Sequence, residues 1–268
     1  MLCAQLAAED RWKVCTLEED VTVALDRLGE EPYVSVLCYP KSTKAENRKR
    51  LEELKKLGVT ALKFRGEKQI SKLHVLGKGC VGIVVRAFKK NEQVALKIRR
   101  VDADRATMQH EAKLLAKANS QHVGSELLGA SRNFLLTRFA DGLLLPEWFE
   151  KTRGRARIRS VLRNVLEQSW RLDAIGLDHG ELSHAPKHII IGETDKPVIV
   201  DFETASLERR PANVTSLCQF LFIGSETART VAKKLGGIDK DALVEALRQY
   251  KRDRIRGNFD NVLSVCGL

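Results

Sequence analysis

Short apolar runs separated by turns occupy the first half of this chain, and longer stretches with helical spacing occupy the second, so strands are expected first and helices afterwards. Residues 1 to 68 read as a small α-β-α-β unit of their own. Thr16 and Glu19 have the spacing of a capping box, and Leu17, Val21, Leu25 and Leu28 keep helical periodicity up to Gly29, which predicts a first helix. Tyr33–Cys38 reads as a strand ended by Pro40. Thr43 with Glu46 opens a second helix carrying Leu51, Leu54 and Leu57 and stopping at Gly58, and Val59–Phe64 closes the unit as a strand.

From about residue 70 the pattern changes. Leu73–Leu76, Ile83–Phe88 and Gln93–Ile98 are short apolar segments bounded by turn residues, the signature of a sheet. Asp104–Asn119 is expected to be helical, with Met108, Ala112, Leu115 and Ala116 on one side. Glu126–Gly129 and Phe134–Arg138 are further strand candidates, and Asp141-Gly142 breaks the chain after them. The remainder predicts helices over 146–152, 155–175, 213–235 and 240–253, interrupted by two short strands at His188–Ile191 and Pro197–Val200.

Composition adds bounds rather than chemistry. The 268 residues suffice for one large domain or for a medium domain with a small partner, and 43% hydrophobic residues can fill a core. No apolar run approaches the ~18 residues of a membrane helix, and the opening ten residues lack a basic segment followed by a long apolar one, so a cytoplasmic protein without membrane contact is expected. The six cysteines form no CxxC pair, which argues for reduced thiols and against a zinc site or a disulfide framework. Cys80 lies inside a glycine-rich segment, as a small filler of a tight strand or as a redox-sensitive thiol. The formal charge of +11 suits a polyanionic partner, and it equally suits a protein that holds a nucleotide.

The chemistry concentrates in a few places. Leu76-Gly77-Lys78-Gly79-Cys80-Val81-Gly82-Ile83-Val84 spaces three glycines as in a loop that covers phosphates, and Lys97 follows in Val94-Ala95-Leu96-Lys97. Glu111 comes fourteen residues later, on the next expected helix. Each alone also fits a glycine-rich turn, a strand-end lysine or a solvated helix charge; their order along the chain is what joins them. Phosphoryl transfer from ATP needs a cover for the phosphates, a cation on them, carboxylate-held Mg2+ and a group that orients the acceptor hydroxyl. Gly77, Gly79 and Gly82 would let a hairpin backbone approach phosphates without Cβ clashes, and Lys97 would supply the charge, held by Glu111. A second group of candidates is His179-Gly180-Glu181-Leu182-Ser183 and Val200-Asp201-Phe202-Glu203. Asp201, at the end of an expected strand, is a hard oxygen donor suited to magnesium, whereas His179 reads as a buried histidine bound to backbone.

These motifs together resemble the atypical, minimal protein kinases of the RIO type and the small kinase of the KEOPS complex, over residues 70 to about 260, and within them an archaeal group of Ser/Thr kinases that would include the N-terminal unit. The resemblance implies an α+β, two-lobed protein-kinase-like fold: the N-terminal unit at 1–68, a β-rich nucleotide lobe at 69–142 and a short helical lobe at 143–268. It implies Glu181, Lys97 and Asp201 as catalytic residues. ATP would be bound through Gly77, Lys78, Gly79, Gly82, Val84, Ala95, Lys97, Glu111 and Ser183, and Mg2+ through Asp201 and Glu203. The acceptor would be a protein hydroxyl or water. Four departures from the family pattern stand out. Glu181 replaces an aspartate, Pro186 stands where an asparagine would hold a second metal, a loop two residues longer aligns His188 there instead, and Glu203 replaces a glycine. They motivate the alternative of a nucleotide-binding pseudokinase docked on an RNA or protein partner; a small-molecule phosphotransferase of the aminoglycoside-kinase type is a third reading, since it shares the His-Gly-Asp loop. Two basic clusters, Arg155, Arg159 and Arg163, and Arg248, Lys251, Arg252, Arg254 and Arg256, are solvated helix faces or contacts for RNA or a ribonucleoprotein.

Overall fold

The computed structural model describes residues 20–268, so Thr16 and Glu19 of the first expected capping box lie outside the described residues. The chain begins with β1 (Val21–Ala24), a 3-10 turn (Leu25–Arg27), α1 (Tyr33–Leu37), α2 (Lys44–Leu57) and β2 (Val59–Phe64). The strand pair β3 (Lys68–Ile70) and β4 (Leu73–Val75) leads into β5 (Gly77–Lys78), β6 (Gly82–Lys89) and β7 (Glu92–Arg99). Then come α3 (Gln109–Asn119), β8 (Leu127–Ala130), β9 (Phe134–Arg138), β10 (Leu143–Leu144), α4 (Leu145–Lys151) and α5 (Arg155–Ala174). A 3-10 segment (Leu182–Lys187), β11 (Ile189–Ile191) and β12 (Pro197–Ile199) precede α6 (Asn213–Cys218), a π-helical turn (Gln219–Ile223), α7 (Glu226–Leu235), α8 (Lys240–Arg252) and α9 (Arg256–Val265). The fold is α+β.

The main sheet is antiparallel and seven-stranded, ordered β1-β2-β6-β7-β9-β8, with β5 pairing one end of β6 beside β2. Strands from both sides of residue 68 thus share one sheet. They also share one apolar core, in which Leu28, Val36, Leu37 and Leu54 pack with Ile83, Val85, Leu96, Ile98 and Leu136. Alternation along the strands sends the opposite set of side chains, including Leu135, to the other face. There a second core joins Leu114 and Leu115 of α3 with Leu162 and Val165 of α5, Leu217 of α6 and Phe259 of α9. The three-stranded sheet β10-β11-β12 lies at the edge of this second core.

Several local expectations are met. Thr43 Oγ1 accepts the amide hydrogen of Glu46 at 3.2 Å, and Gly58 closes α2 in the left-handed region at φ 76°. Others are corrected. The helix expected up to Leu28 is not formed over its described part, Leu17 lying outside it: Val21–Ala24 is a strand because its β-branched residues pair in register with Phe64–Ala61 of β2. Tyr33–Cys38 is a helix rather than a strand, since Val34 and Leu37, one turn apart, bury against α2 and the sheet. The segment Asp104–Met108 stays outside α3. The expected helix 213–235 breaks at Gly224-Ser225, where Ser225 Oγ caps α7 by accepting from Ala228 N at 2.9 Å. The helix α9 had no counterpart in the pattern reading, although Phe259, Val262, Leu263 and Cys266 are apolar at helical spacing and buried.

One buried cation ties the first elements to the sheet. Arg50 of α2 is fully buried; it donates to Glu46 at 2.7 Å, to the carbonyls of Leu37 and Arg99 at 2.7 and 2.6 Å, and to Asn133 at 3.3 Å. Glu53 on the same helix accepts from the Asn133 amide and side chain at 2.9 and 2.7 Å. Replacing Arg50 strands two buried carbonyls and leaves Glu46 without its counter-charge. Arg50→Ala is therefore expected to lower unfolding stability by about 3 kcal/mol, and Arg50→Lys, which lacks the planar fork, to recover only part of it. Chemical-denaturation midpoints of the two variants measure this directly.

Candidate functional site

The register of the sheet builds the site's first wall. Gly77 pairs with Val84, Val84 with Lys97 and Lys97 with Leu135, so these positions form one row across β5, β6, β7 and β9 on the face turned toward α3. Ala95 lies two residues from Lys97 on that face. The glycine segment turns back on itself through Gly79 N–H donating to Gly82 O at 2.8 Å. Gly82 lies directly against the lysine: a Cβ there would sit 3.1 Å from Lys97 Cγ, 3.2 Å from its Cε and 3.1 Å from Ile98 O. At Gly77, by contrast, the nearest atoms to an added Cβ are ordinary contacts at 3.8 Å. Lys78 points elsewhere, with its Nζ 4.5 Å from the centre of the Tyr39 ring.

Lys97 Nζ meets three carboxylates: Glu111 Oε1 at 3.0 Å, Asp201 Oδ1 at 2.7 Å and Glu203 Oε2 at 2.8 Å. Glu111 comes from the first turn of α3, and Asp201 and Glu203 follow β12, so residues more than a hundred positions apart converge on one ammonium. Burial works against the charge on Lys97, yet Glu111, Asp201 and Glu203 outweigh it and hold the lysine pKa above its ordinary value. Burial raises the pKa of Glu111 despite Lys97. At Asp201 burial also pushes upward, but the Lys97 charge prevails and the carboxyl stays below the usual range. Asp201 has φ 68°, in the left-handed region that aspartate tolerates better than most residues.

One oxygen from each of Glu111, Asp201 and Glu203 lies within 4.8 Å of the others. Glu111 Oε2 is buried and has no hydrogen-bond partner among the described residues. Three hard oxygen donors, one with unused capacity, fit a magnesium ion by donor chemistry; Glu111 enlarges the expected pair of Asp201 and Glu203.

The second wall starts at His179, which is fully buried. Its Nε2 lies 3.1 Å from Val200 O, and since a carbonyl only accepts, Nε2 carries the hydrogen and Nδ1 is the bare nitrogen. Nδ1 has no partner. The ring stands edge-on to Phe202 at 4.9 Å, so His179 steadies both residues flanking Asp201, as the sequence suggested for a structural histidine. Gly180, at φ 90°, is required on two counts: its backbone is left-handed, and a Cβ would sit 2.8 Å from Thr204 Oγ1 and 2.6 Å from an Arg209 nitrogen. Glu181 is bound by His188, whose Nε2 is 3.0 Å from Glu181 Oε2, so the 3-10 segment between them brings His188 back onto the glutamate. Ser183, half-buried, contacts His184 Nδ1 at 3.1 Å rather than any member of the lysine cluster.

A supporting network escaped the sequence reading. Buried Asp173 on α5 accepts from Asn213 N and Nδ2 at 2.9 and 2.7 Å and from Tyr250 OH at 2.9 Å. Asn213 Oδ1 in turn accepts from His179 N at 2.8 Å. Helices α5, α6 and α8 thus fix the backbone from which Glu181 projects. No local pattern marks Asp173 or Asn213; the helical periodicity around Asp173 places it on the buried face of α5, where a charged residue signals a partner.

Compared with known proteins, the chain matches no protein-family model and no curated protein sequence. Among the described residues no helix is long and apolar enough to cross a membrane.

Burial, with His188 nearby, lowers the His179 pKa from 6.5 to about 4. An unfolded chain protonates this histidine below 6.5 while the folded one resists, so its contribution is intact above pH 6.5 and lost as pH falls toward about 4. The loss amounts to about 3 kcal/mol across that window. His179→Gln, which keeps a donor for Val200 O, is expected to flatten that part of the stability–pH curve; denaturation at stepped pH values tests it.

Proposed function

We propose that this chain is an ATP- and magnesium-dependent phosphotransferase of the atypical Ser/Thr kinase type, with a kinase-like two-lobed arrangement about the lysine cluster. The observation that carries it is the convergence of Lys97, Glu111, Asp201 and Glu203, drawn from a central strand, the following helix and a distant strand end, beneath a glycine hairpin. A buried ammonium with carboxylates in excess has the composition of a site for a polyphosphate and its metal. Magnesium, held by Asp201 and Glu203, would neutralise the phosphate oxygens. The chain's own residues do the rest. Lys97, held by Glu111, supplies a fixed positive charge to the phosphates; the β5–β6 hairpin, with Val84 and Ala95 behind it, covers the nucleotide. Glu181 orients the acceptor hydroxyl and takes its proton as the new P–O bond forms and the bridging bond to departing ADP breaks.

His188 on Glu181 favours a second reading, a nucleotide-binding module with little transfer, because it occupies an oxygen that the acceptor would use. The two separate in one experiment. Purified protein is incubated with γ-labelled ATP and magnesium, and labelled protein is resolved from released phosphate. Phosphoryl transfer that falls at least about 100-fold in Asp201→Asn, the scale of losing one preorganised electrostatic contact, is the expected result. ATP binding without transfer would leave the binding module; absence of ATP binding would overturn both.

The glycine hairpin gives a finer test. Gly82→Ala crowds Lys97 against its carboxylates and is expected to lower transfer about tenfold, whereas Gly77→Ala, with room for its methyl group, leaves it nearly unchanged. Equal effects of the two would show that the hairpin does not act through Lys97.

A further inference from the structure

A cleft of about 470 Å3 is lined in part by the 3-10 segment that follows Glu181. Its lining includes Phe149 and Glu150 of α4, Phe220 from the π-helical turn and Glu226 at the start of α7. Pro186 and Ser183 from the 3-10 segment complete the rim. Its volume is within the range of small-ligand sites, but it is open and half-polar, like a groove that takes extended chain. Two features mark it. The chain carries +11 overall, yet among the described residues no lysine or arginine lines this cleft, whose titratable residues are Glu150, Glu226 and His184. Among the described residues, neither Glu150 nor Glu226 has a side-chain ion pair or hydrogen bond, unlike Glu46, Glu53, Glu111 and Glu203. In addition, π-helical turns are uncommon and gather at functional sites; here the turn ends at Gly224, and Ser225, committed to Phe220 O at 2.5 Å and to capping α7, leaves Glu226 at the mouth.

We infer that the cleft receives the phosphate acceptor, an extended protein segment in which Lys or Arg flanks the Ser or Thr. This rests on the phosphoryl-transfer reading above, and it names the substrate class for that site. Basic side chains pair with Glu150 and Glu226, and an apolar neighbour packs on Phe149, Phe220 and Pro186. Leu182, next to Glu181, begins the 3-10 segment whose Ser183, His184 and Pro186 line the cleft. Long-range electrostatics oppose such a partner: a basic peptide is repelled by a +11 protein. At physiological salt, however, charges beyond about 8 Å are screened, and the pair Glu150 and Glu226 acts locally, set against Lys240, whose Nζ lies 3.2 Å from Ile223 O beside the cleft, and His184 in the lining. Binding of a basic peptide to this basic protein therefore reports the cleft and not bulk charge.

The test uses the full chain and two fluorescein-labelled peptides, each with a central Ser, one flanked by Arg and Lys and the other by Glu and Asp. Anisotropy titrations at physiological salt are expected to show the basic peptide binding at least about tenfold more tightly, and Glu150→Lys with Glu226→Lys removing that margin. Glu150→Gln with Glu226→Gln, a milder change, is expected to remove part of it and covers the case in which charge reversal prevents folding. Thr230→Trp, which fills the cleft without changing charge, should weaken the basic peptide by a similar factor. ATP binding and transfer are measured on the same samples. ATP binding intact, with no preference for the basic peptide or a preference indifferent to Glu150 and Glu226, overturns the acceptor cleft alone. Peptide preference intact, with no ATP binding, sustains the cleft as a docking site for basic protein segments and overturns the phosphoryl-transfer reading.

Discussion

The half-buried triangle of carboxylates around Lys97 is the constraint on which the rest of the structure turns. Glu111, Asp201 and Glu203 lie close enough to repel one another, and one ammonium holds them together. Lys97 stands on β7, bonded on both sides by β6 and β9, where its backbone has no freedom to follow its partners. The partners must therefore come to it: α3 presents Glu111 in its first turn, and the chain leaving β12 adopts a left-handed residue at Asp201 to bring two carboxylates back to the sheet. The two apolar cores set the coarse packing, and this polar contact fixes the register between them. A formal excess of two negative charges remains, an electrostatic debt that a cation or a magnesium–phosphate pair can settle.

Much of the candidate site was legible because its signals are local. The glycine spacing, the strand around Lys97 and the helix bearing Glu111 occupy 35 consecutive residues, in which strand alternation and helical periodicity speak directly. Asp201 and Glu203 were legible as a strand end rich in carboxylates. The positions that make the site rigid were not. Asp173, Asn213 and Tyr250 meet only through folding, across separations of 40 and 77 residues, and no periodicity encodes such a meeting. His188 reaching Glu181 belongs to the same class, because it depends on the path of a 3-10 segment. Errors in the first 68 residues have a different origin. Val21–Ala24 and Tyr33–Leu37 are short, apolar and rich in valine, so their local preference is close to neutral, and sheet pairing in one case and burial against α2 in the other made the choice. That segment also read as a unit of its own, whereas β1 and β2 extend the main sheet and their side chains fill its core.

The same packing explains how a site made from distant pieces can hold its geometry. His179 is hydrogen-bonded to Val200 O through its ring, and its backbone is bonded to Asn213; Thr204 Oγ1 donates to its carbonyl at 3.0 Å. Three attachments on one residue, two of them to the segment flanking Asp201, mean that the loop bearing Glu181 and the loop bearing Asp201 move as one body. Phe202 extends this body toward α3: an added Cβ at Gly124, just past the helix, would come within 2.9 Å of its ring. Glu111 is on that helix. Displacement of any one of the three acidic elements is thus resisted by contacts to the other two as well as by Lys97.

Under the proposed function Glu181 stands where the resembled kinases have a shorter acid, and this rigidity bears on that difference. An extra methylene moves a carboxylate by an amount that, uncorrected, costs orders of magnitude in a transfer reaction. A flexible loop would leave the longer side chain to wander, and its added rotamers would be an entropic cost at every turnover. Here the backbone just before Gly180 is held by Thr204 Oγ1 donating to His179 O and by His179 N donating to Asn213 Oδ1, and the far end of the side chain is held by His188. The glutamate is held at both ends. Under the proposed function, the two extra residues of the loop and the histidine they deliver are one adaptation with the glutamate: a longer acid set back and clamped, rather than an aspartate site that has decayed. A decayed site would have no reason to keep a clamp on the residue that had lost its task.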